Sequence, residues 1–509
     1  MIHGNRDRIE ELLKPFGWVL KPLGCFVFCS AGWLISSLLS DESIGMAYVW
    51  AGIGLILFSA QLERSWLNRL AFPPLTTLVF TLNLRWISGG FILLLSDNQA
   101  PHEVFVDHIT AALPLTLMPS ACLVCLGWAI NKLFIQDHLV SEKKWSTNDS
   151  QFRSIILWLT VLTGIIAIGY IVVGALGGTL DRGENYLRWA GRFWRPDTVL
   201  SALIRLRDLF YVCLPLAIWQ NRKSKRIVLL LSLPTVAAML ISLSLGGRGL
   251  IIYPALLLLG GAWMAGMKPK VAKILCIAAV ISILVFSVGL EGIRTTNEFK
   301  NSSTFDLQQR FSGTKKAVEK IGNELGSNLT YLGVSLYTHS DPYLFTPPAS
   351  EQEPVGTKRL GNLIYLWVPR VFLTERPEVN DGHLIANEIR NQPNNGLVDG
   401  RFTSFWNVSF GADLYWRFRW AGLIIGSIIF GFLYAYVSRL WYRYAGLNGN
   451  VYAVLAALFP ATFLQGPPLR SVSETAWNWL YEFPKYFIVL LVVGLIIKTL
   501  IKRQKQLLS

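Results

Sequence analysis

Residues 154–177 read SIILWLTVLTGIIAIGYIVVGALG, a stretch without a single charged side chain. At about 1.5 Å of rise per residue, a helix of this length crosses the roughly 30 Å hydrocarbon core of a bilayer. The whole chain of 509 residues has the same character, since 52% of its residues are hydrophobic and only 16% are charged. Soluble domains carry about 25% charged residues. The composition therefore excludes an ordinary soluble enzyme and predicts a polytopic membrane protein.

Apolar stretches of this kind recur along the chain, each bounded by polar or turn-forming residues. We predict that each stretch is a membrane-spanning helix, so the expected fold is all-α and polytopic, with about 12 transmembrane helices. The predicted spans are 24–40, 44–62, 70–95, 109–130, 154–177, 198–219, 227–245, 250–266, 271–290, 421–441, 450–466 and 483–500.

The distribution of Lys and Arg orients these spans, because both residues are enriched in cytoplasmic loops. The chain has 47 Lys+Arg against 32 Asp+Glu, a net charge of +15. When the N-terminus is placed in the cytoplasm, every loop on that side is basic, for example those with Lys143 and Lys144 or with Lys223 and Lys225. Both termini are therefore predicted to be cytoplasmic. Because the loops account for the positive charge, it gives no reason to expect nucleic-acid binding.

One segment between the predicted spans is much longer than the others and lies on the outer side. Residues 291–420 contain 14 Lys+Arg and 14 Asp+Glu, so the segment is neutral. Apolar residues recur at helical spacing from Phe305 to Leu332, which predicts an amphipathic helix. Because a structureless loop of this length is uncommon, we expect a partly helical external cap. The predicted regions are an N-terminal bundle of about nine spans at 1–290, the cap at 291–420 and the C-terminal spans at 421–509.

Several arginines lie where a membrane protein rarely tolerates charge. Arg85 is about sixteen residues from the cytoplasmic start of its span, which places it roughly 24 Å into the bilayer. Arg205 and Arg207 lie in the outer half of the sixth span, beside Asp208, and Arg248 lies in an outer turn. Such cations are costly in lipid unless they pair or face a polar cavity. Because arginine binds phosphate in a bidentate manner, the group predicts an anion site reachable from the outer leaflet, such as one for a lipid-linked pyrophosphate.

A second interpretation of these arginines needs no ligand. Arg205 and Arg207 can extend their long side chains to the membrane interface, and Arg85 can pair with an acidic residue of the long loop. The common depth of the arginines in separate spans favours the anion site over this alternative.

Side chains able to accept a proton occur in the external segment. His339 and Asp341 share one turn, and His383 follows in the same segment. Asp413 lies where the chain returns to the membrane. Each could act as a general base near the outer face. The alternative for the turn is a solvated loop in which Asp341 is a cap. Asp381 and Glu388 are further candidates, and the sequence does not choose among them.

The sequence predicts neither a metal nor a cofactor. Cys122 and Cys125 have CxxC spacing, but they lie in an apolar run without the polar partners that a metal site needs. The other cysteines also lie in apolar stretches and are interpreted as packing residues. No P-loop or HExxH motif occurs in a suitable setting.

Three local motifs, together with the layout, resemble the bacterial oligosaccharide repeat-unit polymerases, also called O-antigen or Wzy-type polymerases. The turn from Ser244 to Gly249 is similar to the glycine-rich, arginine-containing turn found midway through such proteins. The stretch from Tyr365 to Arg370, continuing to Arg376-Pro377, resembles a segment of their long outer loop. The run from Thr403 to Gly422 resembles their return to the membrane. About a dozen spans with one late external loop match their layout.

This resemblance implies glycosyl transfer at the outer face of the cytoplasmic membrane. A growing glycan on undecaprenyl pyrophosphate would be moved onto a new lipid-linked unit by a metal-independent glycosyltransferase. Fixed arginines would stabilise the departing pyrophosphate. On this basis the expected catalytic residues are Arg248, Arg370, His339, Asp341 and His383. The expected substrate-binding residues are Arg85, Arg205, Arg207, Arg376, Arg401 and Asp413. The expected partners are the polyprenyl-pyrophosphate-linked oligosaccharide, the bilayer, a chain-length regulator and a flippase.

Other functions share part of this pattern. An O-antigen ligase uses the same leaving group, and its acceptor alone distinguishes it. A flippase or transporter for lipid-linked sugars would be expected to carry internal repeats and binding groups on both leaflets. A non-enzymatic scaffold would not require arginines buried at one depth. The sequence alone favours the polymerase and leaves the product open among O-antigen, capsule and exopolysaccharide.

Overall fold

The computed structural model describes residues 44–67, 72–95, 120–134, 150–176, 199–221, 223–226, 229–230, 233, 249–265, 353–368, 397–398, 401–402, 408–447, 450–464 and 471–508. In these ranges the chain is helical apart from one pair of two-residue strands. The chain divides into two compact units. The first contains Met1–Leu139, Leu329–Leu440 and Pro467–Ala476, and the second contains Val140–Asn328, Trp441–Gly466 and Trp477–Ser509.

The described part of the first unit begins with four helices, which are α1 (Ile44–Leu62), α2 (Arg64–Leu67), α3 (Pro74–Leu95) and α4 (Ser120–Phe134). Helix α1 packs along α3. This unit also contains a 3-10 helix (Leu360–Trp367), the antiparallel strands β1 (Leu397–Val398) and β2 (Arg401–Phe402), and most of α8 (Phe410–Leu447). Residues 471–476 complete the part of the unit that the structure describes.

A buried acid closes the turn between α1 and α3. The Glu63 carboxylate accepts hydrogen bonds from the backbone N–H groups of Leu75 (2.9 Å) and Thr76 (2.6 Å) and from the Thr76 hydroxyl (2.8 Å). These donors lie in the first turn of α3, where backbone N–H groups have no partner within the helix. Lys132 of α4 donates to the Leu62 carbonyl at 3.0 Å and thereby ties α4 to the same turn.

The second unit is built around α6 (Val199–Gln220). Helices α5 (Ser150–Leu176) and α7 (Gly249–Met264) both pack against α6, as does α11 (Phe483–Leu508). The unit also contains α9 (Asn450–Leu458), which continues as a 3-10 helix (Phe459–Leu464). The short helix α10 (Val472–Trp477) leads through a π-helical turn (Asn478–Glu482) into α11. The residues of α6 from Leu206 to Leu214 are all buried, which makes this helix the centre of the unit.

The helices agree with a membrane protein. Within the described part of the chain, three helical stretches are long and apolar enough to cross a bilayer: Gln151–Gly169, Phe410–Leu447 and Val472–Gln504. Shorter apolar helices occur at Val49–Leu62, Ser120–Phe134, Pro254–Met264 and Asn450–Thr462. The predicted all-helical membrane architecture is therefore confirmed, and the number of twelve spans stays a prediction. The predicted spans 24–40, 227–245 and 271–290 and the predicted helix within 305–332 lie wholly or mostly outside the described residues.

The largest difference from the predicted boundaries is at α8. The sequence predicted that the span begins at 421, but the helix begins at Phe410. At Arg419 the backbone leaves helical geometry (φ 55°, ψ −152°), so α8 consists of a short first segment and a long second one. The apolar pattern located the long segment because residues 420–438 carry no charged side chain. The first segment was missed because Asp413 and Arg417, which are buried inside it, look like loop residues in the sequence.

Candidate functional site

The candidate site is built on the first segment of α8. Ser409 is the N-cap, and its hydroxyl accepts a hydrogen bond from the Ala412 N–H at 3.3 Å. A serine at this position satisfies one of the N–H groups that the first turn of a helix leaves unpaired. The cap fixes where the segment starts and so places Asp413 and Arg417 on one face, because side chains four residues apart are neighbours on a helix.

Asp413 and Arg417 form an ion pair that is completely buried. The Arg417 Nε donates to Asp413 Oδ1 at 3.1 Å, and both side chains have 0% exposure. The second oxygen, Asp413 Oδ2, accepts the backbone N–H of Val472 at 2.6 Å. Val472 is the first residue of α10, so the carboxylate also caps that helix. Both carboxylate oxygens are therefore engaged, and Asp413 joins α8 to α10.

Arg417 fixes a segment of the predicted external cap. Its Nη1 donates to the carbonyls of Gly356 and Lys358, each at 3.0 Å. In return, the Gly356 N–H donates to the Arg417 carbonyl at 3.0 Å. That carbonyl is available because the helix breaks two residues later, at Arg419. The turn from Val355 to Arg359 is thus held against α8 by both backbone and side-chain bonds.

Two arginines near the contact between α8 and this turn have positive φ angles, which non-glycine residues rarely adopt. Arg359 has φ 64° and ends the turn that Arg417 holds, and Arg419 has φ 55° at the break in α8. The guanidinium of Arg419 lies 5.6 Å from the ring centroid of Tyr415. The Nη1 of Arg359 is buried and has no hydrogen-bond partner among the residues that the structure describes. Strained residues of this kind concentrate at functional sites.

The charge balance of this region favours an anion. Residues 353–368 and 408–420 carry the cations Lys358, Arg359, Arg417 and Arg419 against two carboxylates, those of Glu353 and Asp413. Because Asp413 already neutralises Arg417, the remaining cations exceed the remaining acid. Arginine and lysine side chains in such surroundings bind phosphate oxygens through charge-assisted hydrogen bonds. We refer to the Lys358–Arg359 turn together with Arg417, Arg419 and Asp413 as the cationic junction.

The sequence-predicted residues fall in three groups. Arg248, Arg370, Arg376, His339, Asp341 and His383 lie outside the described residues. Arg85 lies on α3, Arg205 on α6 and Arg401 on β2, in each case with only the backbone described. The side chains of Arg207 and Asp413 are described, and each belongs to a different unit.

Arg207 is buried within α6 beside its predicted counter-charge. Its Nε lies 3.5 Å from Asp208 Oδ1, and the two side chains are 7% and 1% exposed. Arg207 was predicted to bind substrate, and that role stays a prediction. Asp413 was predicted to bind substrate. Its engagement with Arg417 and Val472 adds a positioning role, and its contact with substrate stays a prediction.

Sequence reasoning missed Arg359, Arg417 and Arg419. A signal for Arg417 was present, because Asp413 and Arg417 are spaced four residues apart, as in helical ion pairs. No local signal marks Arg359. The turn that it ends is held by bonds from Arg417 to Gly356 and Lys358, across 61 and 59 residues of sequence.

The comparisons with known proteins identify the family. Residues 23–340 match the family described as O-antigen polysaccharide polymerase Wzy. The chain belongs to this family. No curated protein matches the chain, and no solved structure matches it. Membership in the Wzy family supports a membrane enzyme that polymerises O-antigen repeat units and acts on a lipid-linked oligosaccharide. The matched range includes Arg85, Arg205, Arg207 and Arg248, whereas the cationic junction follows it in the chain.

Proposed function

We propose that this Wzy-family protein joins undecaprenyl-pyrophosphate-linked repeat units on the outer face of the bacterial inner membrane, without a metal. The nascent glycan leaves its lipid pyrophosphate and is transferred to the terminal sugar of a new lipid-linked unit. Its product is an O-antigen, a capsule or an exopolysaccharide. Both termini are cytoplasmic, and the segment at 291–420 lies outside, where it meets a flippase and a chain-length regulator.

The observation that carries this proposal is the cationic junction. A buried arginine holds a strained turn that ends in Lys358 and Arg359, and the Nη1 of Arg359 is buried without a protein acceptor among the described residues. In the proposed topology this turn lies outside the membrane, beside the start of the α8 span. A pyrophosphate headgroup in the outer leaflet reaches this depth. The junction thus offers the donors that a departing pyrophosphate requires.

The chemical role of the arginines follows from the charge that develops in the reaction. As the bond between the anomeric carbon and the pyrophosphate oxygen breaks, negative charge grows on the pyrophosphate. Positioned cations stabilise that charge without reorganisation at the moment of reaction, and removing one such donor typically lowers the rate by on the order of 10²–10³. Arg248, Arg370, Arg85 and Arg205 are the further arginines that we propose for this task. His339, Asp341 and His383 remain the sequence-based candidates for proton transfer.

A glycan ladder tests the function in cells. We expect that deletion of the protein leaves single repeat units on the lipid carrier or lipid core, and that wild type restores the ladder. Full-length polymer retained on its lipid carrier would instead identify a ligase. Accumulation of lipid-linked units on the cytoplasmic leaflet alone would identify a flippase. In the same cells, Arg248→Ala at equal abundance is expected not to restore the ladder.

The junction is tested by two substitutions at one position. Arg359→Gly keeps the positive φ without strain, because glycine readily adopts it, and removes only the cation. Arg359→Lys keeps a cation but loses the guanidinium fork. We expect the glycine variant to lower the elongation rate by on the order of 10²-fold and the lysine variant to lower it less. Equal activity of the glycine variant and wild type would exclude a pyrophosphate contact by Arg359.

A further inference from the structure

The π-helical turn at Asn478–Glu482 holds a carboxylate that no step above uses. Pro484 follows this turn by two residues, and a proline ring clashes with the carbonyl four residues before it. The wider π-helical turn relieves that clash, and the Phe483 N–H bonds to the Asn478 carbonyl five residues back. Such turns are rare and are frequent at functional sites.

The turn brings together side chains that a regular helix would separate. In an α-helix, residues five apart point about 140° away from each other. Here the indole Nε1 of Trp477 donates to Glu482 Oε1 at 3.3 Å. Lys485 Nζ donates to the same oxygen at 2.7 Å and lies 4.0 Å from the ring centroid of Tyr481. Trp477 and Tyr481 meet edge to face, with centroids 6.0 Å apart.

One oxygen of this carboxylate is thus fixed and the other is available. Both hydrogen bonds to Glu482 end on Oε1, and Oε2 accepts none from the residues that the structure describes. The side chain of Glu482 is only 5% exposed and that of Lys485 is 17% exposed. A buried carboxylate oriented through one oxygen, with the second open, has the arrangement that a general base requires.

The position of Glu482 along the chain fits the side of the membrane on which the proposed reaction occurs. Helix α11 ends in a basic tail that includes Lys498, Lys502 and Arg503, and the proposed topology places this tail in the cytoplasm. Glu482 is sixteen residues before Lys498, so it lies roughly 24 Å away along the helix, in the outer half of the bilayer core. Trp477 and Tyr481 beside it supply aromatic rings, and such rings suit the apolar faces of a sugar.

We propose that Glu482 is the general base that accepts the proton of the acceptor sugar hydroxyl, with Trp477 and Tyr481 as the binding surface for that sugar. This inference rests on the proposed polymerase function. The hydroxyl proton passes to Glu482 Oε2. The hydroxyl oxygen forms a bond to the anomeric carbon of the donor, and the bond from that carbon to the pyrophosphate oxygen breaks. The electron pair of the broken bond leaves with the lipid pyrophosphate, and Glu482 then releases its proton to water.

The test uses the full-length protein in proteoliposomes supplied with its lipid-linked repeat unit, and it measures elongated product. Glu482→Gln keeps the shape of the side chain but cannot take up the proton. We expect kcat to fall by on the order of 10²–10⁴ while KM for the lipid-linked unit changes little. Glu482→Asp should recover part of the rate. The rise of the wild-type rate with pH at the acidic side of its profile should be absent in Glu482→Gln.

Two controls separate this role from a structural one. Because Glu482→Gln removes the negative charge that pairs with Lys485, the double variant Glu482→Gln/Lys485→Met removes both charges and keeps the pair neutral. Lys502→Gln changes an exposed charge near the end of α11 and should leave the rate within about twofold of wild type. Elongation within about threefold of wild type by folded Glu482→Gln, or by the folded double variant, would overturn the assignment of the base. Failure of the wild-type protein to elongate the unit would instead overturn the proposed polymerase function.

Discussion

At the scale of single residues, the buried pair of Asp413 and Arg417 determines the geometry of the cationic junction. The pair connects α8, α10 and the turn from Val355 to Arg359 through five hydrogen bonds, including the one returned by the Gly356 N–H. A buried pair of this kind contributes little net stability compared with apolar residues, but loss of one partner leaves an uncompensated charge. The main effect of the pair is therefore to fix where α8, α10 and this turn lie relative to one another.

Substitution of one member of the pair should be far more damaging than substitution of both. We expect Arg417→Met to lower the free energy of unfolding by about 3–5 kcal/mol, because Asp413 stays buried without its partner. The double variant Asp413→Leu/Arg417→Met should recover part of this loss. Thermal unfolding in detergent measures the stability of the single and the double variant. Arg443→Met, at an exposed position, is the control, and equal destabilisation by the single and double variants would contradict the argument.

Glu63 predicts a pH dependence of stability. Burial is the largest cause that raises the pKa of Glu63 from 4.5 to about 7, against the hydrogen bonds from Leu75 and Thr76 and the charge of Lys132. Because the folded state then binds the proton more tightly than the unfolded state, stability is greatest below pH 4.5 and falls as pH rises towards 7. We expect the unfolding temperature to decline between pH 5 and about pH 7 in wild type. Glu63→Gln should remove that decline, and an unchanged slope would contradict this explanation.

At the scale of elements, α4 and α8 pack at a distance that only glycine permits. A side chain at Gly127 would overlap the Ile428 carbonyl, and one at Gly431 would overlap the Val124 carbonyl. The hydroxyls of Ser120 and Ser427 meet at 3.2 Å along the same contact. Small residues at helix contacts are typical of membrane proteins, where close packing replaces the hydrophobic effect as the main attraction.

Alanine at either glycine should separate the two helices. We expect Gly127→Ala and Gly431→Ala each to lower the free energy of unfolding by about 1–3 kcal/mol, because the overlapping atoms belong to the opposite backbone and cannot rotate away. Gly446→Ala on the same α8 helix meets nothing within 4 Å and serves as the control. Thermal unfolding of the three variants at equal detergent concentration decides the point. Because alanine favours a helix more than glycine does, Gly446→Ala should not destabilise the protein. Destabilisation by Gly446→Ala of the same size would contradict the packing explanation.

The helices also show which features of the fold the hydrophobic pattern predicts and which it does not. Hydrophobic periodicity located α1 at 44–62 and the long segment of α8, because apolar length is a local property. The same patterns missed the first segment of α8 and the π-helical turn, since both place charged residues in the membrane protein's interior. In the first segment of α8, the buried Arg417 bonds to carbonyls that are distant in sequence. In the π-helical turn, the changed helical register brings Trp477 within hydrogen-bonding distance of Glu482. The left-handed Arg359 could not be predicted for the same reason.

At the scale of the whole molecule, the proposed topology assigns opposite sides of the membrane to the cap and the C-terminal tail. Ile364, in the 3-10 helix after the Arg359 turn, is 74% exposed, and Lys502 near the end of α11 is exposed. In a background without native cysteines, Ile364→Cys should react with a membrane-impermeant maleimide added to intact spheroplasts. Lys502→Cys should react only after permeabilisation. The reverse result would invert the proposed topology and remove the outer-face site.

In the proposed function, this single chain elongates lipid-linked repeat units at a site that depends on fixed cations. The most direct measurement is elongation by the purified protein in proteoliposomes that contain the lipid-linked repeat unit and no other protein or added metal. We expect a ladder of longer lipid-linked glycans for wild type and a loss of elongation on the order of 10²-fold for Arg359→Gly. An unextended repeat unit in the presence of folded wild-type protein, or an equal ladder from both proteins, would contradict this proposal.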